Sequence, residues 1–349
     1  MTETFFAIPG ELNAPTGGYA YDRRLIKELR AFAIDTHHIA LPGAFPHPDN
    51  DDIAETVQLL AATPEDATLL IDGLAYGAMP TDALRKVRRR TVVILHHPLA
   101  LETGLPEHTR TELKTSEIAA LALADHVIAT SPYSARLLHQ DYGVPQAKIT
   151  FAEPGTDPAQ RATGTAMPMQ LLAVGAISKR KGYDILIDAL VPLADQLPWR
   201  LTITGAQDRF PQVAEALQRQ IGQSGLQDQV NLAGVVVPAT LNRFYDSADL
   251  FVMPSLFEGY GMVLAEAMAR GLPIICTTGG AASETVPDAA AIKVAPGDAD
   301  QLRDALHKAM TDKKLRSQLA DASWDAGRTL PTWQETARRV AAVILDLKL

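Results

Sequence analysis

One cysteine, Cys276, stands in 349 residues. No internal disulfide can form, and a cysteine-built metal site is excluded. No apolar run approaches the roughly 20 residues needed by a membrane-crossing helix. Basic residues are outnumbered, 32 against 41, for a formal charge of −9. That balance argues against a nucleic-acid partner, which normally meets a broad basic face. No GxGxxG opens a helix after a strand, so the phosphate turn of a dinucleotide oxidoreductase is missing. The amino-terminal MTETFFAIPGEL has no basic leader, and its apolar run stops at Pro9. The expectation is a soluble, cytoplasmic chain.

What is present is a regular alternation of short apolar runs and helical patterns. The first half offers TFFAI, HHIAL, ATLLID, TVVIL, DHVIAT and KITFA as strands, and the second half QLLAVG, RLTITG, QVNLAG, DLFVMPS, PIICT and AAIKVA. Stretches of helical period lie between most of them, among them GYAYDRRLIKELRAF and VAEALQRQIGQSG. Apolar strands that do not alternate imply parallel sheets covered on both faces. About six strands in each half suits two doubly wound α/β domains better than one sheet of twelve. The run EPGTDPAQRATGTAMP has no hydrophobic period and marks the seam. The expected organisation is an amino-terminal domain over 1–155, a linker over 156–168, a carboxyl-terminal domain over 169–330, and a last helix over 331–349 free to pack back on the first domain. Two such domains facing each other would hold a ligand in the cleft where the carboxyl ends of their strands open.

Chemistry-bearing residues should therefore follow strands. FEGYGMVLAEAMARG places Glu258 on the turn after DLFVMPS and Glu266 within the helix that follows, closed by Gly271. The backbone N–H groups of Gly259, Tyr260, Gly261 and Met262 would be the unsatisfied donors of a helix start, suited to phosphate or sugar oxygens. Glu258 suits hydroxyls, and Glu266 could hold a second pair; helix-dipole complementarity and solvation explain the spacing equally well. After QLLAVG comes Lys179-Arg180-Lys181, where a fork and a point charge could neutralise a diphosphate.

These patterns closely resemble the carboxyl-terminal domain of the GT-B retaining glycosyltransferases of family four, the glycosyl transferases group 1. The signature is a glutamate, seven residues and a second glutamate, met by Glu258 and Glu266. The amino-terminal half adds Thr16-Gly17-Gly18, LHHP and ATSPYSARLL. The resemblance implies a GT-B fold and sugar transfer from a nucleotide diphosphate sugar to a hydroxyl acceptor (lipid, polysaccharide or small molecule), with retention and without a metal or other cofactor. It implies that Glu258 contacts donor-sugar hydroxyls, Glu266 the ribose, and Lys181, with Arg180 beside it, the diphosphate. Gly17 and Gly18 match the loop over phosphate and acceptor, His96 a histidine near the transferred sugar, and Glu284 a glutamate near base and ribose. His97 stands where many relatives have an acid. Ala176 stands where relatives carry an arginine, so half of the diphosphate clamp is absent at its usual place.

Other readings stay open. An epimerase or hydrolase of nucleotide sugars, or a non-catalytic nucleotide-sugar-binding subunit, would share the fold. Asp49-Asn50-Asp51 spells an Asp-x-Asp metal motif but lacks the apolar strand before it, so helix capping is expected. Asp157 in PGTDP fits either a family loop or a linker turn. The cluster Arg85–Arg90 complements a helix end, or meets an anionic membrane peripherally, as many relatives glycosylate lipids. Trp324 and Trp333 are read as packing, and His37 and His38 as strand residues.

Overall fold

The twelve apolar runs all become strands in the computed structural model, which describes residues 2–165 and 167–347. Ala166, inside the expected linker, lies outside the described residues, as do the last two positions of the final helical stretch. The chain divides into two compact units, 1–155 with 331–349, and 156–330.

In the first unit six strands run β1 (Thr2–Pro9), β2 (Ile34–Leu41), β3 (Thr68–Asp72), β4 (Arg90–Leu95), β5 (His126–Ala129) and β6 (Ile149–Phe151). They pair in parallel in the order β2-β1-β3-β4-β5-β6. Every residue of β3 is buried, as helices on both faces require. Each fully buried Leu or Ile in such a layer contributes roughly 2 kcal/mol. β2, at the edge, shows a broken burial pattern and carries His37 and His38.

Local chemistry starts the helices. Thr16 caps the helix Gly17–Leu29 by accepting from the Tyr19 N–H. Asp49 caps the helix Asn50–Ala61 in a reciprocal box with Asp52, so the Asp-x-Asp spelling is a helix start. Thr332 and Glu335 make the same box before the helix Trp333–Asp346. That last helix lies on Gly17–Leu29: Trp333 meets the Tyr21 ring edge at 5.8 Å, and Thr336 Oγ1 donates to the Glu153 carbonyl at 2.6 Å.

The second unit repeats the design with β7 (Met169–Val174), β8 (Trp199–Thr204), β9 (Val230–Gly234), β10 (Leu250–Met253), β11 (Ile274–Thr277) and β12 (Ala291–Val294), ordered β12-β11-β10-β7-β8-β9. β10 and β11 are buried throughout. The described residues of the segment before β7 form neither helix nor strand, so their backbone donors need other partners. They find carbonyls of the same unit: Ala162 N–H donates to Arg270 and Thr163 N–H to Asp246, at 2.9 and 3.0 Å.

Candidate functional site

In the second unit the first strand, β7, has β8 on one side and β10 on the other. The chain leaves these neighbours for opposite faces of the sheet, which opens a crevice at their carboxyl ends. The turns after β7 and β10 meet there. Leu256 N–H donates to the Arg180 carbonyl at 2.7 Å, and Arg180 Nη1 donates to the Phe257 carbonyl at 2.8 Å. Lys181 Nζ donates to Glu258 Oε1 at 2.7 Å, while Arg180 Nη1 stands 3.4 Å from Glu258 Oε2. Gly182, at φ +63°, lets the basic turn pass this closely, since a side chain there would strike the Pro254 carbonyl.

Glu258 is 6% exposed. Burial pushes its pKa up, but Lys181 and then Arg180 overcome that and hold the carboxyl at about 2. A third segment completes the turn: Glu258 N–H donates to the Gly279 carbonyl and Ala281 N–H to the Glu258 carbonyl, at 3.2 and 2.8 Å. Glu284 sits exposed on the short helix Ala282–Thr285 that follows. Tyr260 is buried and its carbonyl accepts from Thr285 Oγ1 at 2.6 Å. The helix Met262–Met268 has seven residues, shorter than its sequence pattern implies. The positive charge of the site therefore comes chiefly from Lys181 and Arg180 rather than from a helix dipole.

Glu266 lies on that helix, half-buried, and Oε2 accepts from the Tyr245 hydroxyl at 2.8 Å. The Arg270 guanidinium covers the Tyr245 ring at 4.4 Å. Burial raises the Glu266 pKa against the pull of Tyr245 and Arg270, and Asp157 adds to the rise. Asp157 therefore stands close enough to Glu266 to act on its charge, a proximity not legible in PGTDP. The position after Gly175 is Ala176, and Arg180 is engaged with the Phe257–Glu258 turn. Arg180→Ala is expected to lower unfolding free energy by about 2 kcal/mol, the loss of a charged hydrogen bond, and to weaken nucleoside diphosphate binding less than Lys181→Ala does. Urea unfolding and calorimetry check both parts.

In the first unit, Gly17 and Gly18 begin the helix after β1, and His96 and His97 follow β4. A side chain at Gly18 would bring Cβ to 3.1 Å from the His96 ring, so glycine permits the imidazole to lie against the helix start. His97 Nε2 stands 3.5 Å from Glu102. His96 Nε2 is 3.1 Å from Oδ1 of Asp22, a buried residue of the same helix as Gly18. Asp72, closing β3, joins them: one donor atom from each of the three lies within 4.8 Å of the others. No other set of this kind occurs among the described residues. Within it the Asp22–His96 contact is direct, while Asp72 Oδ1 accepts from the Leu74 N–H. Sequence reading named His96 and passed over Asp22 and Asp72. An aspartate ending the apolar run ATLLID at a strand's carboxyl end was an available signal. The basic cluster is partly engaged elsewhere, since Arg89 donates to the Ala61 and Thr63 carbonyls at the end of the helix Asn50–Ala61.

Comparison with known proteins follows the same division. The family model described as Glycosyl transferases group 1 matches residues 168–312, and that described as Glycosyltransferase Family 4 matches 70–160. Mannosylfructose-phosphate synthase of Agrobacterium fabrum is 29% identical over 70% of this chain and 60% of its own length. Against three curated relatives the chain spans 47 to 60% of their length. Sucrose-phosphate synthase from Thermosynechococcus elongatus superposes with a TM-score of 0.84 at 20% identity, covering 99% of each chain. Anabaena Alr3699/HepE, solved in complex with UDP-glucose, gives 0.79 at 19% identity over 99% of this chain and all of the other. These structures share the GT-B fold, two six-stranded parallel α/β sheets.

Proposed function

We propose, for a chain that belongs to the group 1, family four glycosyltransferases, that it moves a sugar from a nucleotide diphosphate sugar to a hydroxyl acceptor with retention at the anomeric carbon. The observation that carries this reading is the convergence of Lys181, Arg180 and Glu258 at the reversal point of the second sheet. A carboxylate held ionised accepts from sugar hydroxyls, and the ammonium beside it meets the adjoining phosphate. Glu266, bonded to Tyr245, takes the ribose hydroxyls.

In the transfer, the bond from the anomeric carbon to the diphosphate oxygen breaks. The acceptor oxygen forms its bond on the same face, and its proton passes to the departing phosphate. Such a step needs charge stabilisation on the diphosphate rather than a protein acid and base. Lys181 and Arg180 supply that charge, so the mechanism we infer uses no metal.

A thermal-shift series with UDP, GDP, ADP and the matching nucleosides tests the donor site. One diphosphate is expected to raise the melting temperature, with its nucleoside giving a much smaller rise. UDP leads the series because HepE binds UDP-glucose. Equal shifts for nucleoside and diphosphate would count against the Lys181 role. Incubation with the matching donor, alone and with sugar phosphates as acceptors, then separates transfer from hydrolysis or epimerisation. Turnover as fast without an acceptor as with one would exclude a transferase.

A further inference from the structure

Three ionisable side chains are buried against each other in the first unit, and the chemistry above uses none of their protons. Asp22 is fully buried, Asp72 is 3% exposed, and the His96 side chain keeps 19% of its surface. Asp72 Oδ1 accepts from the Leu74 N–H at 2.7 Å. Asp22 Oδ1 faces His96 Nε2, and Asp22 Oδ2 is buried with no hydrogen-bond donor among the described residues. His96 Nδ1 likewise has no hydrogen-bond partner among them.

Charge balance, with imidazole a stronger base than a carboxylate, selects one protonation state. With both carboxyls ionised the cluster carries −1 if the imidazole is protonated and −2 if it is neutral. Net charge without a partner is expensive where water is excluded. One proton between the carboxyls and a second on the imidazole bring the total to zero. The first of these also gives Asp22 Oδ2 the donor it lacks, because a protonated Asp72 can supply an O–H.

We propose that Asp22, Asp72 and His96 form one proton-holding unit: the carboxyls share a single proton, Asp22 fixes the ring through Nε2–H, and His96 is a standing imidazolium with Nδ1–H as its unused donor. His96 then gives a hydrogen bond to a ligand oxygen and does not act as a base. Asp22 and Asp72 are positioning residues that act through it. The electrostatics agree in direction. Burial alone would lower the His96 pKa, but Asp22 and then Asp72 raise it to about 9. Burial and Asp22 raise Asp72 to about 7. Tyr21, His38 and Arg339 are further ionisable groups around the cluster. Tyr21 meets His96 edge-on at 5.3 Å, and its hydroxyl donates to the Ala152 carbonyl. Burial pushes the Tyr21 phenol far up, with Arg339 opposing. Burial lowers His38, with Asp22 opposing.

The consequence for catalysis rests on the sugar-transfer reading; the protonation state does not, and the test separates them. The full chain, labelled at histidine, is titrated by NMR without substrate, with His96 assigned by its loss in His96→Gln. Wild type is expected to titrate near pH 9. Asp22→Asn should bring His96 to about 6.5, the ordinary imidazole value, or below. Asp72→Asn should lower it by less, because Asp22 keeps both its negative charge and its contact with the ring. A wild-type midpoint at or below the ordinary value would overturn the proposal. So would an Asp72→Asn variant that falls as far as Asp22→Asn. Stoichiometric zinc or manganese binding that vanishes in Asp22→Asn would replace the proton-holding unit with a metal site. With a donor and acceptor in hand, the transfer rate should hold to near pH 9 in wild type and fall above about 6.5 in Asp22→Asn. An unchanged profile would remove the catalytic role, and if no sugar is transferred the NMR titration still decides the protonation state.

Discussion

Glu258→Gln is expected to reduce sugar transfer at least tenfold, a loss of about 1.4 kcal/mol of transition-state stabilisation or more. Glutamine keeps the shape and one carbonyl acceptor but removes the charge to which we assign the sugar hydroxyls. The structure adds a second consequence. Glu258 is the buried counter-charge to both Lys181 and Arg180, so the variant leaves two neighbouring cations without it. Removing one member of a buried ion pair costs about 3 kcal/mol. The variant should fold, unfold at lower urea, and be assayed well below its melting temperature. Turnover at the wild-type rate would count against the assignment, whatever the stability. Acid unfolding carries a companion expectation. The Glu258 pKa is depressed in the folded chain, so its contribution is complete above the unfolded value of about 4.3. It should fade as the pH falls toward the folded value of about 2. Glu258→Gln should flatten that part of the acid-unfolding curve.

Lys181→Ala is expected to weaken nucleoside diphosphate binding at least tenfold, while nucleoside binding changes little. Its ammonium is a point charge 2.7 Å from Glu258 Oε1, and in the proposed reading it meets the phosphate adjoining the sugar. Calorimetry with the diphosphate and its nucleoside reads the difference directly. Equal losses for the two ligands would mean that Lys181 only supports the turn. The Glu258 carboxyl should rise in this variant but stay below the value of a buried, unpaired acid, since Arg180 remains. A double variant with Glu258→Gln should lose less stability than the two single variants summed, because both remove the same pair.

The twelve strands were legible because a buried parallel strand is a short run of apolar residues, and neighbours in sequence suffice to show it. The Asp49 cap was legible for the same reason: its side chain satisfies donors two and three residues away. The roles of Arg89 and Asp22 were not. Arg89 stands in a basic run but closes a helix that ended nearly thirty residues earlier. Asp22 reads as one polar residue among many on the helix Gly17–Leu29, yet it faces His96 from 74 positions away.

The sequence by itself determined the kinds of element, their alternation into two parallel-sheet halves, and the residue types placed after each strand. Periodicity and capping are short-range, and a single chain records them locally. Only the tertiary structure decided which loops meet. Lys181 and Glu258 are 77 residues apart and touch because β7 pairs with β10. Asp72 reaches Asp22 and His96 because β3 lies between β1 and β4. Strand order is set by packing across the whole sheet, and no window of neighbouring residues contains it.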